Sequence, residues 1–266
     1  MIAQVLHPTL HDLGGFQVRR VLPSPHRTMV GPFIFVDEFG PAIIPAGQTT
    51  AIRPHPHIGL STVSWLFEGA IDHRDSLGNF ATVRPGEIAL MTAGKGIVHS
   101  ERGLPAQLDI DKPVFGMQTW LALPDGLEDM DPAFEVHTDL PLVEDQCASA
   151  RVVIGTLWGK TAPTNQHAPA IYADIVLAPG GSIPIDAEAE ERHAAVEGRR
   201  LGDVVGVGGR EAGVHAIPQR RRGDQVTGRG ARRHTPDRGR LGGRLEAVVD
   251  PAGRTRDREF LTGVDE

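Results

Sequence analysis

The stretch Arg53-Pro54-His55-Pro56-His57-Ile58-Gly59 places two imidazoles two residues apart, and His99-Ser100-Glu101 repeats that spacing with an imidazole and a carboxylate. Side chains two residues apart on a β-strand point to the same face of the sheet. Each segment therefore presents a pair of metal-type ligands on one face. If the two strands lie side by side, three histidines and one glutamate surround a single point, which is the outline of a metal site.

The prolines around His55 restrict where this strand can lie. Pro54 and Pro56 have no backbone N–H and cannot donate to a neighbouring strand. Such a strand belongs at the edge of a sheet or at the mouth of a barrel. Ligands carried at a mouth leave space for a small molecule beside them.

Composition and patterning predict an all-β fold. The 266 residues include 32 Gly and 21 Pro, and 40% of them are hydrophobic. Val63, Trp65 and Phe67 are large apolar residues at alternate positions of one short segment, and a period of two is typical of a strand. Many short segments of this kind, separated by turn residues, are typical of all-β proteins.

Several classes of protein are not expected. No apolar run approaches the length of about 18 residues that a membrane span needs, and the N-terminus has no signal-peptide pattern. The lone Cys147 excludes an intrachain disulfide and suits a reducing compartment. The net charge of −7 gives no reason to expect nucleic-acid binding. We therefore expect a cytoplasmic protein without membrane association.

The last quarter of the chain differs in composition from the rest. Residues 192–266 contain 16 Arg, no Lys and 11 acidic residues, and the strand pattern ends after about His193. One hypothesis is a reading frame shifted over much of 193–266; the other is a divergent, disordered basic tail. The Arg runs have no interleaved aromatics, so a solvated tail is favoured over a phosphate-binding surface.

The types of ligand restrict which metal ions could bind. Sulfur-ligated structural zinc is excluded because no cysteine is near. Three histidines and one glutamate leave open positions on an octahedral ion, as in non-haem iron(II) centres that activate dioxygen. Mn, Co, Ni and Cu also suit imidazole and carboxylate ligands, so the ligand list alone does not identify the ion. A nearby polar cluster, Asp72, His73 and Asp75, is interpreted as a solvated hairpin rather than a second site.

Three stretches resemble a known family. The run RPHPHIGLSTV at 53–63, followed by FEG at 67–69, resembles the metal-binding motif of pirins, and MTAGKGIVHSE at 91–101 is similar to their second motif. Upstream, MVGPFIF at 29–35 also resembles the pirin N-terminal region. The resemblance covers roughly residues 14–190.

The resemblance implies a bicupin, with two jelly-roll barrels in tandem. It implies a metal in the first barrel held by His55, His57, His99 and Glu101. It also implies an empty second barrel, where Ile183-Pro184-Ile185-Asp186 replaces the histidine pair. The second barrel is expected to be incomplete or aberrant after about residue 193.

The expected domains are an N-terminal metal-binding barrel at 1–135, a linker and the start of the second barrel at 136–192, and an aberrant Arg/Gly-rich tail at 193–266. The acidic, turn-rich residues 125–150 are expected to connect the two halves.

The resemblance implies a quercetin 2,3-dioxygenase-like enzyme that uses O2 to cleave a flavonol ring, with Glu101 both ligating the metal and serving as a base. The alternative is a non-enzymatic module that binds partner proteins in a metal-dependent way. A zinc isomerase of the cupin kind is less favoured because its carboxylate comes from a different position.

Overall fold

The computed structural model describes residues 4–13, 17–103, 109–146, 148–178, 182–184, 193–196, 203–205, 213–217 and 246–249. Every regular element in these segments is a β-strand, which confirms the all-β prediction. None of the described residues forms a helix long and apolar enough to cross a membrane.

The strands are β1 (Gln4–Leu6), β2 (Thr9–Asp12), β3 (Gln17–Leu22), β4 (Phe33–Ile44), β5 (Ala51–His57), β6 (Leu60–Glu68), β7 (Ile71–Asp75), β8 (Phe80–Val83), β9 (Ile88–Thr92), β10 (Ile97–Gly103), β11 (Lys112–Ala122), β12 (Ala133–His137), β13 (Leu142–Glu144), β14 (Ala148–Ile154), β15 (Thr156–Leu157), β16 (Lys160–Thr161), β17 (Tyr172–Leu177), β18 (Ser182–Pro184), β19 (His193–Val196), β20 (Asp203–Val205), β21 (Gly213–Ile217) and β22 (Glu246–Val249).

Two antiparallel sheets form the first half of the molecule. The larger has seven strands in the order β12-β9-β6-β11-β4-β3-β2, and the smaller has four in the order β5-β10-β7-β8. Strand β5 lies at an edge of the smaller sheet, as its two prolines predict. Side chains from the two sheets meet: the Ser64 hydroxyl of β6 donates to the Glu101 carboxylate of β10.

The two halves of the described chain share a hydrophobic core. Val63 and Trp65 of β6 pack in one cluster with Val153 and Ile154 of β14. The Trp65 indole also donates to Oδ2 of Asp174 on β17 at 3.3 Å. The first half is therefore covered on one side by the strands that follow it.

The predicted domain boundary at residue 135 falls inside β12. This strand pairs along its whole length with β9, in register from Ala133 opposite Thr92 to His137 opposite Ile88. The acidic stretch expected to connect the halves thus contributes one strand to the first sheet and a second, β13, to the sheet β13-β14-β17.

Four short strands lie beyond the point at which the sequence predicts the strand pattern to end. β19 and β22 pair with each other, and β21 pairs with β20 and β18. Local Val pairs, at 204–205 and 248–249, supply the β-branched residues that strands favour. The rest of 193–266, on which the frame-shift and tail hypotheses depend, lies outside the described residues, as do Ile185 and Asp186 of the expected empty site.

The shared core makes a prediction for stability. Ile154 is 2% exposed and packs against the first half, so Ile154→Ala should lower the free energy of unfolding by about 2–5 kcal/mol. Leu142→Ala is the matched control, because this side chain of the same half is 43% exposed and should change stability by no more than about 0.5 kcal/mol.

Urea unfolding followed by circular dichroism and tryptophan fluorescence measures both variants. We expect one cooperative transition that shifts as a whole in Ile154→Ala. A separate transition that shifts while the rest of the protein unfolds as in the wild type would contradict a shared core.

Candidate metal centre

The register of two strands brings the three histidines together. β5 and β10 are antiparallel neighbours, with His55 directly opposite His99 and His57 opposite Ile97. Because His55 and His57 are two residues apart, both share the face on which His99 lies. The structure thus brings together the three histidines of the predicted four-residue group.

The histidine nitrogens converge on one point. Nε2 of His99 lies 3.1 Å from Nε2 of His57 and 3.1 Å from Nε2 of His55, and the three ligand atoms lie within 4.8 Å of one another. A ring nitrogen carries either one proton or one lone pair, so His99 cannot form two full hydrogen bonds there. A cation between the rings would satisfy all three lone pairs.

The spacing also fits a transition metal. With metal–nitrogen bonds of about 2.1 Å, two ligands at right angles stand about 3.0 Å apart. The two observed contacts of 3.1 Å match this value. Imidazole donors suit Fe, Zn, Cu and Ni alike, so these two contacts fit a divalent transition metal without selecting one.

Burial keeps two of these histidines neutral. Burial, helped by the neighbouring His55, lowers the pKa of His57 from 6.5 to about 4. Burial, together with His55, His57 and His73, lowers the pKa of His99 to about 2. Neutral imidazole is the form that binds a metal, so both side chains are ready to bind one at neutral pH.

A backbone carbonyl fixes the tautomer of His55. Its Nδ1 lies 2.8 Å from the carbonyl oxygen of Arg53, which can only accept a hydrogen bond. Nδ1 therefore carries the proton and Nε2 is left with a lone pair that faces the other two rings. This is the outer-shell support that histidine ligands usually have.

Glu101 lies on the same strand but outside this group. Among the described residues, the cluster of convergent ligand atoms contains three histidines only. A bulge in the pairing with β5 falls between His99 and Glu101. The buried Glu101 carboxylate accepts hydrogen bonds from Ser64 at 3.1 Å and from Gln118. Burial raises its pKa. Its role as fourth ligand remains a prediction.

An aromatic wall stands beside the histidines. Trp120 of β11 meets the His57 ring edge-on at 4.8 Å between centroids and stacks on Phe35 at 3.9 Å. The Nε1 atom of Trp120 is buried and has no hydrogen-bond partner within the described segments. The sequence offered no signal for this wall, because Trp120 and Phe35 lie on strands distant from the histidine motifs.

The interpretation of Asp72, His73 and Asp75 as a solvated hairpin is wrong. The side chains of His73 and Asp75 are 5% and 0% exposed, and His73 Nε2 lies 3.1 Å from Asp75 Oδ2. Asp72 is also buried and accepts from Thr82 at 2.7 Å. Burial would raise the pKa of Asp75, but hydrogen bonds from Asn79, His73 and two backbone N–H groups lower it overall. The spacing of two residues between His73 and Asp75, which is that of two side chains on one face of a strand, was the available signal.

His57 and His99, both buried, and the half-buried His55 form a group on one sheet that could hold a metal ion. The family model for pirins matches residues 15–121. A pirin-like protein of Caulobacter vibrioides is 42% identical over 206 residues, which is 76% of this chain and 71% of that protein. The chain belongs to the pirin family, as its motifs predict.

Other relatives extend the comparison. A candidate quercetin 2,3-dioxygenase of Pseudomonas aeruginosa is 43% identical over 162 residues, 61% of this chain but only 50% of that protein. The crystal structure of a quercetin 2,3-dioxygenase from Acinetobacter baumannii is similar with a TM-score of 0.70 and 30% identity, covering 92% of this chain and 74% of that one. Escherichia coli YhhW, a bacterial pirin solved with nickel(II), is 17% identical and has the same fold, with a TM-score of 0.53 over 94% of this chain and 97% of that one. These likenesses confirm the tandem cupin fold.

The buried histidines predict how stability depends on pH. Below about pH 6.5 the unfolded chain binds protons on His57 and His99, whereas the folded chain takes them up only near pH 4 and pH 2. The free energy of unfolding should therefore decrease as the pH is lowered below about 6.5. Each of the two histidines accounts for a decrease on the order of 1 kcal/mol per pH unit. Glu101 acts in the opposite direction, because its raised pKa favours the folded state at low pH.

A variant isolates the histidine effect. Urea unfolding of the metal-free protein at about pH 7 and about pH 5 should show a smaller loss of stability in His57→Gln than in the wild type, because the variant lacks one of the two groups. Equal losses in the two proteins would contradict a buried, neutral His57.

Proposed function

We propose that this pirin is a metal-dependent dioxygenase of the quercetin 2,3-dioxygenase type, which cleaves the ring of a flavonol with O2 as co-substrate. The observation that carries the proposal is the convergence of three Nε2 atoms, from His55, His57 and His99, beside an aromatic wall. The likeness to the Acinetobacter and Pseudomonas proteins supports the same chemistry. Because some relatives are matched over only half their length, the whole activity is part of the proposal.

We assign Fe(II) as the metal, held by His55, His57 and His99, with Glu101 completing the set. When bound, the ion would supply Lewis-acid and electron-transfer chemistry towards the substrate and O2. Nickel(II), found in the Escherichia coli relative, and Mn, Co, Cu and Zn are the alternatives. Metal analysis of the purified protein distinguishes among them.

Glu101 is the proposed base for the flavonol hydroxyl. Its carboxylate is buried in the first half, where the Ser64 hydroxyl and the Gln118 amide hold it in place. Burial raises its pKa, and a carboxylate of raised pKa holds an abstracted proton better than an exposed one does. His73 of β7 is paired directly opposite Glu101 of β10.

The aromatic wall is the proposed substrate surface. A flavonol is flat, largely apolar and edged with oxygen atoms, so it suits the stacked rings of Phe35 and Trp120. Trp120 contacts the metal ligand His57, which brings this surface next to the histidine cluster. The unpaired indole N–H offers a donor to a substrate oxygen.

Oxygen consumption tests the enzyme proposal. Fe(II)-loaded protein should consume O2 in the presence of quercetin, and His57→Ala should lower the rate by more than about 100-fold, because even outer-shell partners of metal ligands are worth about 10–100-fold. His26→Ala is the matched control, since this histidine is exposed and takes no part in the cluster.

A different result would favour the other function. Stoichiometric metal binding without O2 consumption over a panel of flavonols would contradict the enzyme proposal. It would favour a metal-dependent module that binds partner proteins. A cytoplasmic location, proposed from the lone Cys147, suits either function.

A second variant tests the aromatic wall. Trp120→Phe keeps a ring beside His57 but removes the indole N–H, so KM for the flavonol should rise about tenfold, the value of one hydrogen bond. The affinity for the metal should not change, because Trp120 is not among the cluster atoms. Trp158→Phe, in the distant turn between β15 and β16, is the control. An unchanged KM, or a parallel loss of metal, would contradict this role.

A further inference from the structure

A chain of three side chains leads from the histidine cluster into the protein. Nδ1 of His99 lies 3.4 Å from Nδ1 of His73, and Nε2 of His73 lies 3.1 Å from Oδ2 of Asp75. Asp75 and His73 sit two residues apart on β7, directly opposite His99 and Glu101 of β10. The chain therefore runs across one face of two adjacent strands.

The positions of the protons follow from the end of this chain. The carboxylate of Asp75 can only accept, so Nε2 of His73 carries a proton, and in the neutral ring its Nδ1 then carries a lone pair. That lone pair faces Nδ1 of His99, which must then be the donor. Nε2 of His99 therefore carries no proton, and it is the atom that faces His55 and His57.

We propose that Asp75 and His73 are positioning residues for the metal, which act by fixing His99 in the tautomer whose Nε2 binds it. The inference rests on the three-histidine metal site of the proposed function. It assigns to Asp75 and His73 the outer-shell role that the Arg53 carbonyl has for His55.

The surroundings hold this chain in one arrangement. The His73 ring stacks on Phe134 with centroids 4.0 Å apart and an angle of 1°. Oδ1 of Asp75 accepts from the backbone N–H groups of Leu77 and Asn79, in the turn between β7 and β8. Both members of the chain are thus fixed by contacts that do not involve the cluster itself.

The variant Asp75→Asn tests the chain most directly. The new amide would donate to Nε2 of His73, which would move the proton of His73 to Nδ1. His99 would then have to accept at Nδ1 and carry its own proton on Nε2, where it blocks a metal. We expect the affinity for Co(II), measured by chelator competition, to fall about 10–100-fold.

Two control variants separate this effect from damage to the strand or turn. Asp72→Asn changes a buried carboxylate on the same strand that bonds to Thr82 instead. Asn79→Ala removes the side-chain contacts of Asn79 with Asp75 and leaves His73 untouched. Both should bind Co(II) within about twofold of the wild type.

The tautomer itself is measurable without any metal. In protein labelled with 15N-histidine, two-bond NMR correlations should show His99 protonated on Nδ1 in the wild type and on Nε2 in Asp75→Asn. A purely structural role of Asp75 would not move this signal. If the wild type binds no metal, the proposed function fails, and the NMR result still decides whether the chain exists.

A second pair of variants keeps the inference testable should Asp75→Asn not fold. His73→Asn retains an amide oxygen near the Nδ1 position and should bind Co(II) more tightly than His73→Leu, which has no acceptor. Equal affinity of these two variants would overturn the proposal. So would Asp75→Asn with wild-type affinity, or with His99 still protonated on Nδ1.

Discussion

The pairing of β5 with β10 is the constraint on which the site depends. It sets His55 opposite His99 and so brings their Nε2 atoms within 3.1 Å. A slip of one residue would turn the histidines of β5 to the other face of the sheet. The prolines of β5 remove donors that a further strand would need, so the ligand-bearing strand remains at the edge. The same prolines thus favour one position in the sheet.

Bringing the three histidines together lowers the stability of the metal-free protein. Three imidazoles are packed together, and the two buried ones, His57 and His99, cannot take up a proton until the pH is far below neutral. Only part of their hydrogen-bonding capacity is met by protein groups, since two rings compete for Nε2 of His99. A metal ion that binds the folded chain and not the unfolded one would offset this cost. Stability and metal content should therefore be linked in this protein.

The spacing of residues within short motifs predicted those features of the site that depend on neighbouring residues alone. The grouping of His55 and His57 with His99, the edge position of β5 and the family follow from short motifs. The burial of His73 and Asp75 does not, because it depends on Phe134 of β12, some sixty residues away, and a polar cluster before a turn is usually solvated. The position of Glu101 is also non-local: a bulge precedes it, and Ser64 and Gln118 hold it. The pairing of β12 with β9 is non-local as well, so the strand that spans residue 135 could not be assigned to a sheet from sequence.

The second half of the chain contributes to the site through β6. This strand presents Ser64 to Glu101 on one face, while Val63 and Trp65 on the other face pack against Val153 and Ile154. Because alternate residues of one strand serve the site and the shared core, the position of Ser64 depends on how well that core is packed. Protein interiors are dense enough to transmit small displacements of a strand. The second half therefore supports the candidate site by holding β6 in place.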